Sequence, residues 1–447
     1  MKLKNCNILI YGLGLSGRAA LKLLYTEKSR FFLFDDNLDK SENLLSGIKG
    51  LKNIFVLQKL TKDMIDEIDL IVLSPGVSVD RPVLNYAKTK NKRIVGELEL
   101  GFLSCKNDFL CVTGTNGKTT TINLLGAILI ESKKPCSVVG NVGVPVCSKI
   151  SKETRKHIFA CEVSSFQLES ITTFRPKIAA ILNIDSDHID RHKTKKAYID
   201  AKFGIAKNLK KKDFLILNKN CTASLKLAQN VKCKVYFFDT EKECAGAYIK
   251  EGSVFVNVHK NTVKIMDVSE IQLMGSHNHE NILCASLMAY LYGVKPKYIK
   301  KAVSEFVLPH HRIEKVDVIN GITYINDSKA TNIGATLAAL KSIKEPVNLI
   351  LGGSDKGYDY RPLFKHMPKN VVRIAVTGAV ADKIMEASGG FKNITKLKTL
   401  KDAVKFLKSK AKEGEVVLLS PASASFDEFS GYTERGQKFC EYVRADE

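Results

Sequence analysis

The sequence has no run of about 18 uncharged apolar residues, no CxxC pair among its eleven cysteines, and no basic stripe interleaved with aromatics. The first absence argues against a chain threaded through a bilayer as helices. The start MKLKNCNILIYGLG passes directly into a strand and a glycine turn instead of an apolar leader core and cleavage site, so a cytoplasmic protein is expected. The second absence leaves no zinc-ligand spacing. An odd cysteine count, with Cys111, Cys161 and Cys284 in apolar stretches, predicts reduced buried thiols and no disulfide framework. Acidic residues are also short: 47 Asp and Glu stand against 69 Lys and Arg, a formal net charge of +22. Such a charge suits an anionic partner, whether nucleic acid, membrane surface or phosphorylated substrate. Much of it is Lys in segments such as KKAVSEF and LKSKAKEGE, which read as solvated helix faces. With no nucleic-acid-binding signature, no nucleic-acid partner is expected.

The 447 residues, 45% of them hydrophobic, can bury sizeable cores, and at roughly 100 to 200 residues per domain the length predicts three domains. Short apolar runs alternate with helical patterns: NILIYGLG, GRAALKLLYTEK, RFFLFDD, DLIVLSPG. That is the rhythm of a parallel α/β sheet. A second series runs from FLCVTGTNGKTTTINLLGAIL through IFACEV, IAAILNI and DFLILN to VYFFD. It continues into GAYIKEGSVFVNVHKNTVKIMDV, whose alternation predicts antiparallel hairpins attached to the sheet. A third follows the break at Leu308-Pro309-His310-His311, with ITYINDSKAT, VNLILGGSDKG, VRIAVTGAVADKI and VVLLSPASAS. The predicted fold is α/β in three domains: Rossmann-like over 1–96, a central mostly parallel sheet of phosphate-loop ATPase type over 97–308, and a C-terminal Rossmann-like domain over 309–447. Ligands in such sheets bind outside the carboxyl ends of the strands, where each polar motif falls.

The strongest motif is Thr113-Gly114-Thr115-Asn116-Gly117-Lys118-Thr119-Thr120, between a buried strand and an apolar helix. Backbone N–H groups of such a turn cradle phosphate oxygens, Lys118 reaches the β/γ-phosphates, and the Thr119 hydroxyl is placed for Mg²⁺. The general GxxxxGK[ST] pattern wants glycine where Val112 stands, so this is a shorter variant. Gly12-Leu13-Gly14-Leu15-Ser16-Gly17 is a GxGxxG after the first strand, with Asp35 ending the second. It fits NAD or FAD and equally a uridine diphosphate, which offers a pyrophosphate to the helix start and a nucleoside to Asp35. Ser74-Pro75-Gly76 is either a second ligand-facing turn or an ordinary one. Glu162 in CEVSSFQLE suits Mg²⁺ together with Thr119. His188 in NIDSDHIDRH, taken alone, reads as a surface or hydrogen-bonded residue.

TGTNGKTTT, EVSSFQLE, NIDSDHIDRH, GSHNHENILCA, HHRIE, NDSKATN, LGGSDKG and SPASASFDEF together resemble the Mur ligase family in order and spacing, over essentially the whole chain. Within it, GLGLSG, the short first domain and the SPASASFDEF ending are similar to the members that add D-glutamate to UDP-N-acetylmuramoyl-L-alanine in peptidoglycan synthesis. An Asp-Asn-Pro-Arg-like run of the diamino-acid-adding members is not found. The resemblance implies ATP-dependent amide formation through an acyl phosphate, with two Mg²⁺ and Lys118 stabilising the charge that develops. It implies that Glu162 and His188 hold the second Mg²⁺, and that Lys202, by itself a helix-surface lysine, carries a CO₂-derived carbamate. Gly14, Leu15, Ser16, Asp35, Asp36, Ser74, Pro75, Gly76 and Asn141 are implied to meet the UDP substrate. Besides the loop, Asn278 and Asn281 are implied to read adenine, and Arg312, Asp327 and Lys329 to meet ATP. Thr331, Lys356, Ser425, Phe426 and Tyr432 are implied to form the D-glutamate pocket. Tyr432 stands where Phe is expected, and Asp36 where some relatives have Thr. The partners implied are these small molecules, and a monomer is expected. A dinucleotide-dependent oxidoreductase would leave the phosphate loop without a purpose, and a nucleic-acid-stimulated ATPase would need an arginine finger that is not apparent.

Overall fold

The computed structural model describes residues 5–37, 51–141, 143–151, 156–185, 189–273, 276–307 and 310–445. Uninterrupted apolar runs become strands buried on both faces, as a parallel sheet covered by helices requires. The first sheet comprises β1 (Asn7–Tyr11), β2 (Arg30–Phe34), β3 (Ile54–Val56), β4 (Leu70–Leu73) and β5 (Arg93–Gly96), all parallel, in the order β3-β2-β1-β4-β5. The strand order reverses between β1 and β4, which opens a crevice at their carboxyl ends.

The second sheet holds β6 (Phe109–Thr113), β7 (Cys136–Gly140), β8 (Ile158–Glu162), β9 (Ile178–Ile181), β10 (Phe214–Asn218), β11 (Lys234–Asp239), β12 (Gly246–Lys250), β13 (Ser253–Val258) and β14 (Asn261–Asp267). Its order is β14-β13-β12-β11-β10-β9-β6-β8-β7. Strands β6 to β12 are parallel, and β13 and β14 add on as the expected antiparallel hairpins. Their two-residue turns, Glu251-Gly252 and His259-Lys260, have positive φ throughout, which matches the twist of a tight hairpin.

The third sheet contains β15 (Glu314–Ile319), β16 (Ile322–Asn326), β17 (Val347–Gly352), β18 (Val371–Thr377), β19 (Ile394–Lys396) and β20 (Val416–Leu419), in the order β15-β16-β20-β17-β18-β19. Only β15 is antiparallel, joined to β16 by the positive-φ pair Asn320-Gly321. The first two sheets lie in one compact unit (Met1–Ile184, Arg191–Glu270, Glu280–Ser304) and the third in another (Asp185–Asp190, Ile271–His279, Glu305–Glu447). Cys111, Cys161 and Cys284 are buried free thiols, as their apolar surroundings predict. Among the described residues no helix is long and apolar enough to cross a membrane.

Candidate functional site

The phosphate loop leaves β6 at Thr113 and enters the helix Lys118–Glu131. Gly117 caps that helix at φ +82°, and an added Cβ would lie 2.3 Å from Asn281 Oδ1, so only glycine fits. The loop is pinned from behind by Asn183, two residues past β9. Its Oδ1 accepts from the N–H of Thr115 (3.1 Å) and Asn116 (2.8 Å), and its Nδ2 donates to Asn116 O at 3.2 Å. Two N–H groups expected to cradle phosphate are thus engaged by protein, which leaves the first turn of the helix to face an anion. Lys118 Nζ curls over the loop, donating to the carbonyls of Gly114 (2.8 Å) and Thr115 (2.7 Å). Sequence reasoning missed Asn183; its signal is an amide at a strand end beside a glycine loop.

Thr119 Oγ1 donates to Glu162 Oε2 at 2.7 Å, and Asn141 Nδ2 to Glu162 Oε1 at 3.0 Å. Glu162 ends β8 and is buried. Lys202 corrects the expectation formed from its helix alone: it is 2% exposed, and its Nζ donates to Gly114 O at 2.7 Å. Tyr198 and Lys202 are one turn apart and so share a face of the helix Lys195–Phe203. That face is turned inward, with Tyr198 OH 3.0 Å from Thr115 Oγ1 and its ring 4.6 Å from Lys202 Nζ. Thr119 and Glu162 supply the oxygen donors that fit Mg²⁺. Among the described residues no cluster of three His, Cys, Asp or Glu could hold a metal, and His188 lies outside them. Asn278 and Asn281 are both buried, and Asn281 Oδ1 accepts from Thr121 Oγ1 at 3.1 Å.

At the carboxyl ends of β1, β2 and β4 a cavity of about 480 Å³ is lined by Gly14, Leu15, Ser16, Asp35, Asp36 and Ser74-Pro75-Gly76, and on its other side by Gly140, Asn141 and Gln167. A Cβ on Gly17 would sit 1.8 Å from Gly12 O, so this turn requires glycine to bring the helix Leu15–Leu24 against the strand. Asp35 organises the rim: Leu13 N–H donates to its Oδ2 (2.7 Å) and Asn37 N–H to its Oδ1 (3.0 Å). Asp36 accepts from Tyr11 OH (2.9 Å) and Arg81 Nη2 (2.5 Å). Burial pushes the Tyr11 phenol up to about 12, and the Asp36 bond adds to this. Leu15 is exposed by 63%, an apolar surface at the mouth.

Arg191 was not singled out from sequence. It donates to Gly76 O and Val77 O, both at 3.0 Å, and to Glu169 Oε2 at 2.6 Å, tying the Ser74-Pro75-Gly76 turn to the second sheet's segments. His192, buried beside it, lies 2.9 Å from Ser165 Oγ.

In the third-sheet unit, Asp327 follows β16, Lys356 follows β17 and Ser425 follows β20. Asp327 accepts from Ser420 Oγ at 2.8 Å; burial raises its pKa to about 7 despite that bond and the nearby Arg312. Lys356 Nζ donates to Thr331 O at 3.4 Å. Lys329 Nζ sits 3.7 Å from the centre of the Tyr432 ring, a contact that a Phe ring would also offer. Ser425 is buried, while Phe426 is 73% exposed.

A phosphate loop backed by a buried lysine and an acid, beside a nucleotide-sized cavity on a second parallel sheet, defines a multidomain α/β enzyme of the phosphate-loop type. Family models match along the chain: a Mur ligase MurD-like N-terminal domain over residues 6–96, the Mur ligase middle domain over 112–289, and the Mur ligase glutamate ligase domain over 311–423. The UDP-N-acetylmuramoylalanine--D-glutamate ligase of Thermoanaerobacter sp. (strain X514) is 39% identical over 98% of both chains, and that of Clostridioides difficile (strain 630) is 36% identical over 99% of both. The UDP-N-acetylmuramate-alanine ligase of Thermotoga maritima shares the fold, with a TM-score of 0.60 at 17% identity over 98% of this chain and 99% of that one. MurF of Acinetobacter baumannii aligns with a TM-score of 0.61 at 15% identity over 83% and 90%. The chain belongs to the Mur ligase family, and it is a ligase.

Proposed function

We propose that this ligase adds D-glutamate to UDP-N-acetylmuramoyl-L-alanine at the expense of ATP, as the names of its relatives suggest. The observation that carries the reading is one continuous chain of contacts. Asn141 lines the cavity at the first sheet and bonds Glu162, which bonds Thr119 of the phosphate loop. A substrate with a nucleoside diphosphate at one end and a carboxylate at the other fits such a path. Leu15, Ser16, Asp35, Asp36 and the Ser74-Pro75-Gly76 turn receive the UDP end, with Gly14 opening the helix start to the pyrophosphate.

The substrate carboxylate attacks the γ-phosphate held at Lys118 and displaces ADP as the β,γ P–O bond breaks, and the acyl phosphate formed gives the D-glutamate amine a good leaving group. The amine's attack releases inorganic phosphate. Mg²⁺ at Thr119 and Glu162, with His188 as a further ligand, would neutralise the phosphate charge. Lys202, buried against Gly114 O, is the residue we assign to carbamate formation. Thr331, Lys356, Ser425, Phe426 and Tyr432 form the amino-acid pocket, and residues 96 and 309 are the domain limits we adopt.

Phosphate release from ATP and Mg²⁺ with UDP-N-acetylmuramoyl-L-alanine tests this, comparing D-glutamate with L-glutamate, L-alanine, L-lysine and meso-diaminopimelate. Release with D-glutamate alone is the expected result. Turnover driven by another amino acid would move the enzyme to a sister activity.

A further inference from the structure

One buried charge in the third-sheet unit is not used by the chemistry above. Arg435 lies in the first turn of the helix Tyr432–Arg444 and is 3% exposed. Its Nε donates to Ser328 Oγ (3.0 Å), its Nη2 to the carbonyls of Ser328 (2.8 Å) and Ser423 (3.0 Å), and its Nη1 to those of Ala424 (3.1 Å) and Gly352 (3.4 Å). Among the described residues no carboxylate pairs with it directly; Asp427, Glu428 and Asp327 act on it only through space. Burial lowers its pKa to about 10, so it stays charged at neutral pH.

A cation desolvated among carbonyls is costly to fold around, and the planar five-donor fork of arginine is the side chain that can satisfy several acceptors at fixed angles. Those acceptors come from three strand-end turns, after β16, β17 and β20. The same turns carry Thr331, Lys356, Ser425 and Phe426, and Tyr432 begins the arginine's own helix. Ser328 Oγ also donates to Tyr432 O at 2.8 Å, which closes the set into a ring of contacts.

We propose that Arg435 is the positioning residue of the amino-acid pocket: its guanidinium sets the mutual spacing of the three turns that receive the amino acid, without touching it. The inference rests on the pocket assignment under Proposed function. An amino acid with two carboxylates needs its donors at a fixed separation, and small displacements of positioned groups cost large factors in rate or binding. A lysine at 435 supplies a point charge that cannot span all three turns.

The test is steady-state kinetics of the full chain with Arg435→Lys and Ser328→Ala, alongside thermal melts. For Arg435→Lys the KM for the amino acid should rise at least about tenfold, and for Ser328→Ala about threefold, from the loss of several or one of these hydrogen bonds. The KM values for ATP and the UDP substrate should stay within about twofold, with turnover at saturating amino acid largely kept. If Arg435→Lys fails to fold, Ser328→Ala carries the test alone. An unchanged amino-acid KM in folded variants overturns the proposal, as does an equal rise for all three substrates. The wild type's choice of amino acid separately decides the underlying reading. Were it not D-glutamate, the KM of the amino acid actually used would be the one to follow.

Discussion

Glu97 and Glu99 sit two residues apart on the helix Glu97–Ser104, both buried, and their surroundings push them in opposite directions. Burial raises the Glu97 pKa, against the Cys147 N–H bond at 2.7 Å and the Cys147 thiol. Burial also acts to raise Glu99, but donors from Thr172, Thr173 and Phe174 outweigh it and hold the carboxyl below its ordinary range. Because its folded pKa is depressed, Glu99 stabilises the protein above the usual carboxylate range, and that stability is lost as pH falls through the folded value. Glu99→Ala strands five donors and should cost about 3 kcal/mol in denaturant unfolding at pH 7. Asp327 runs the other way. With a folded pKa near 7 its stability contribution is complete below the ordinary carboxylate range and lost as pH rises to about 7, by up to about 4 kcal/mol. Asp327→Asn should therefore gain in Tm relative to wild type between pH 4 and pH 8; a constant difference would contradict the raised pKa. Lys202→Ala should lower activity about 10- to 100-fold, with partial recovery on adding small carboxylates such as formate. The absence of both effects would remove the carbamate assignment.

At the scale of elements, the site is made by strand ends, and these were the most legible parts of the sequence. The apolar runs FLCVT, IFACE and LIVL read as buried strands because a parallel strand is covered on both faces and shows no polar alternation. The short edge strands β3, β5, β7, β15 and β19 did not announce themselves. β15, EKVDVI, is half exposed and alternates weakly, so its pairing with β16 depends on the Asn320-Gly321 turn more than on its own pattern. Asn183 and Arg191 were missed for a related reason: each acts on a loop distant in sequence, over 67 or more positions. Asn183→Ala should raise the KM for ATP about tenfold by loosening the loop at Asn116, whose N–H and carbonyl both lose the side-chain amide while the Thr115 N–H keeps the backbone carbonyl of residue 183, with little change in Tm, read by phosphate release at varied ATP.

For the whole molecule, the +22 charge is the property that no single site explains. If it gathers substrates that carry a diphosphate and carboxylates, kcat/KM for the UDP substrate should fall as salt rises from about 50 to 500 mM, where screening shortens to a few ångströms. A flat dependence would make the charge a matter of solubility.

Order and spacing of motifs along this chain determined the α/β class, the phosphate loop and the family likeness, because glycine turns, buried strands and helix starts are local physics. Tertiary structure alone decided that Lys202 is buried and that Asn183 holds the loop from behind. It alone joined Asn141, Glu162 and Thr119 into one path and gathered five acceptors around Arg435. Each of these depends on which strands lie side by side. Strand order follows from how helices pack across the sheets, and a pattern read one segment at a time does not contain it.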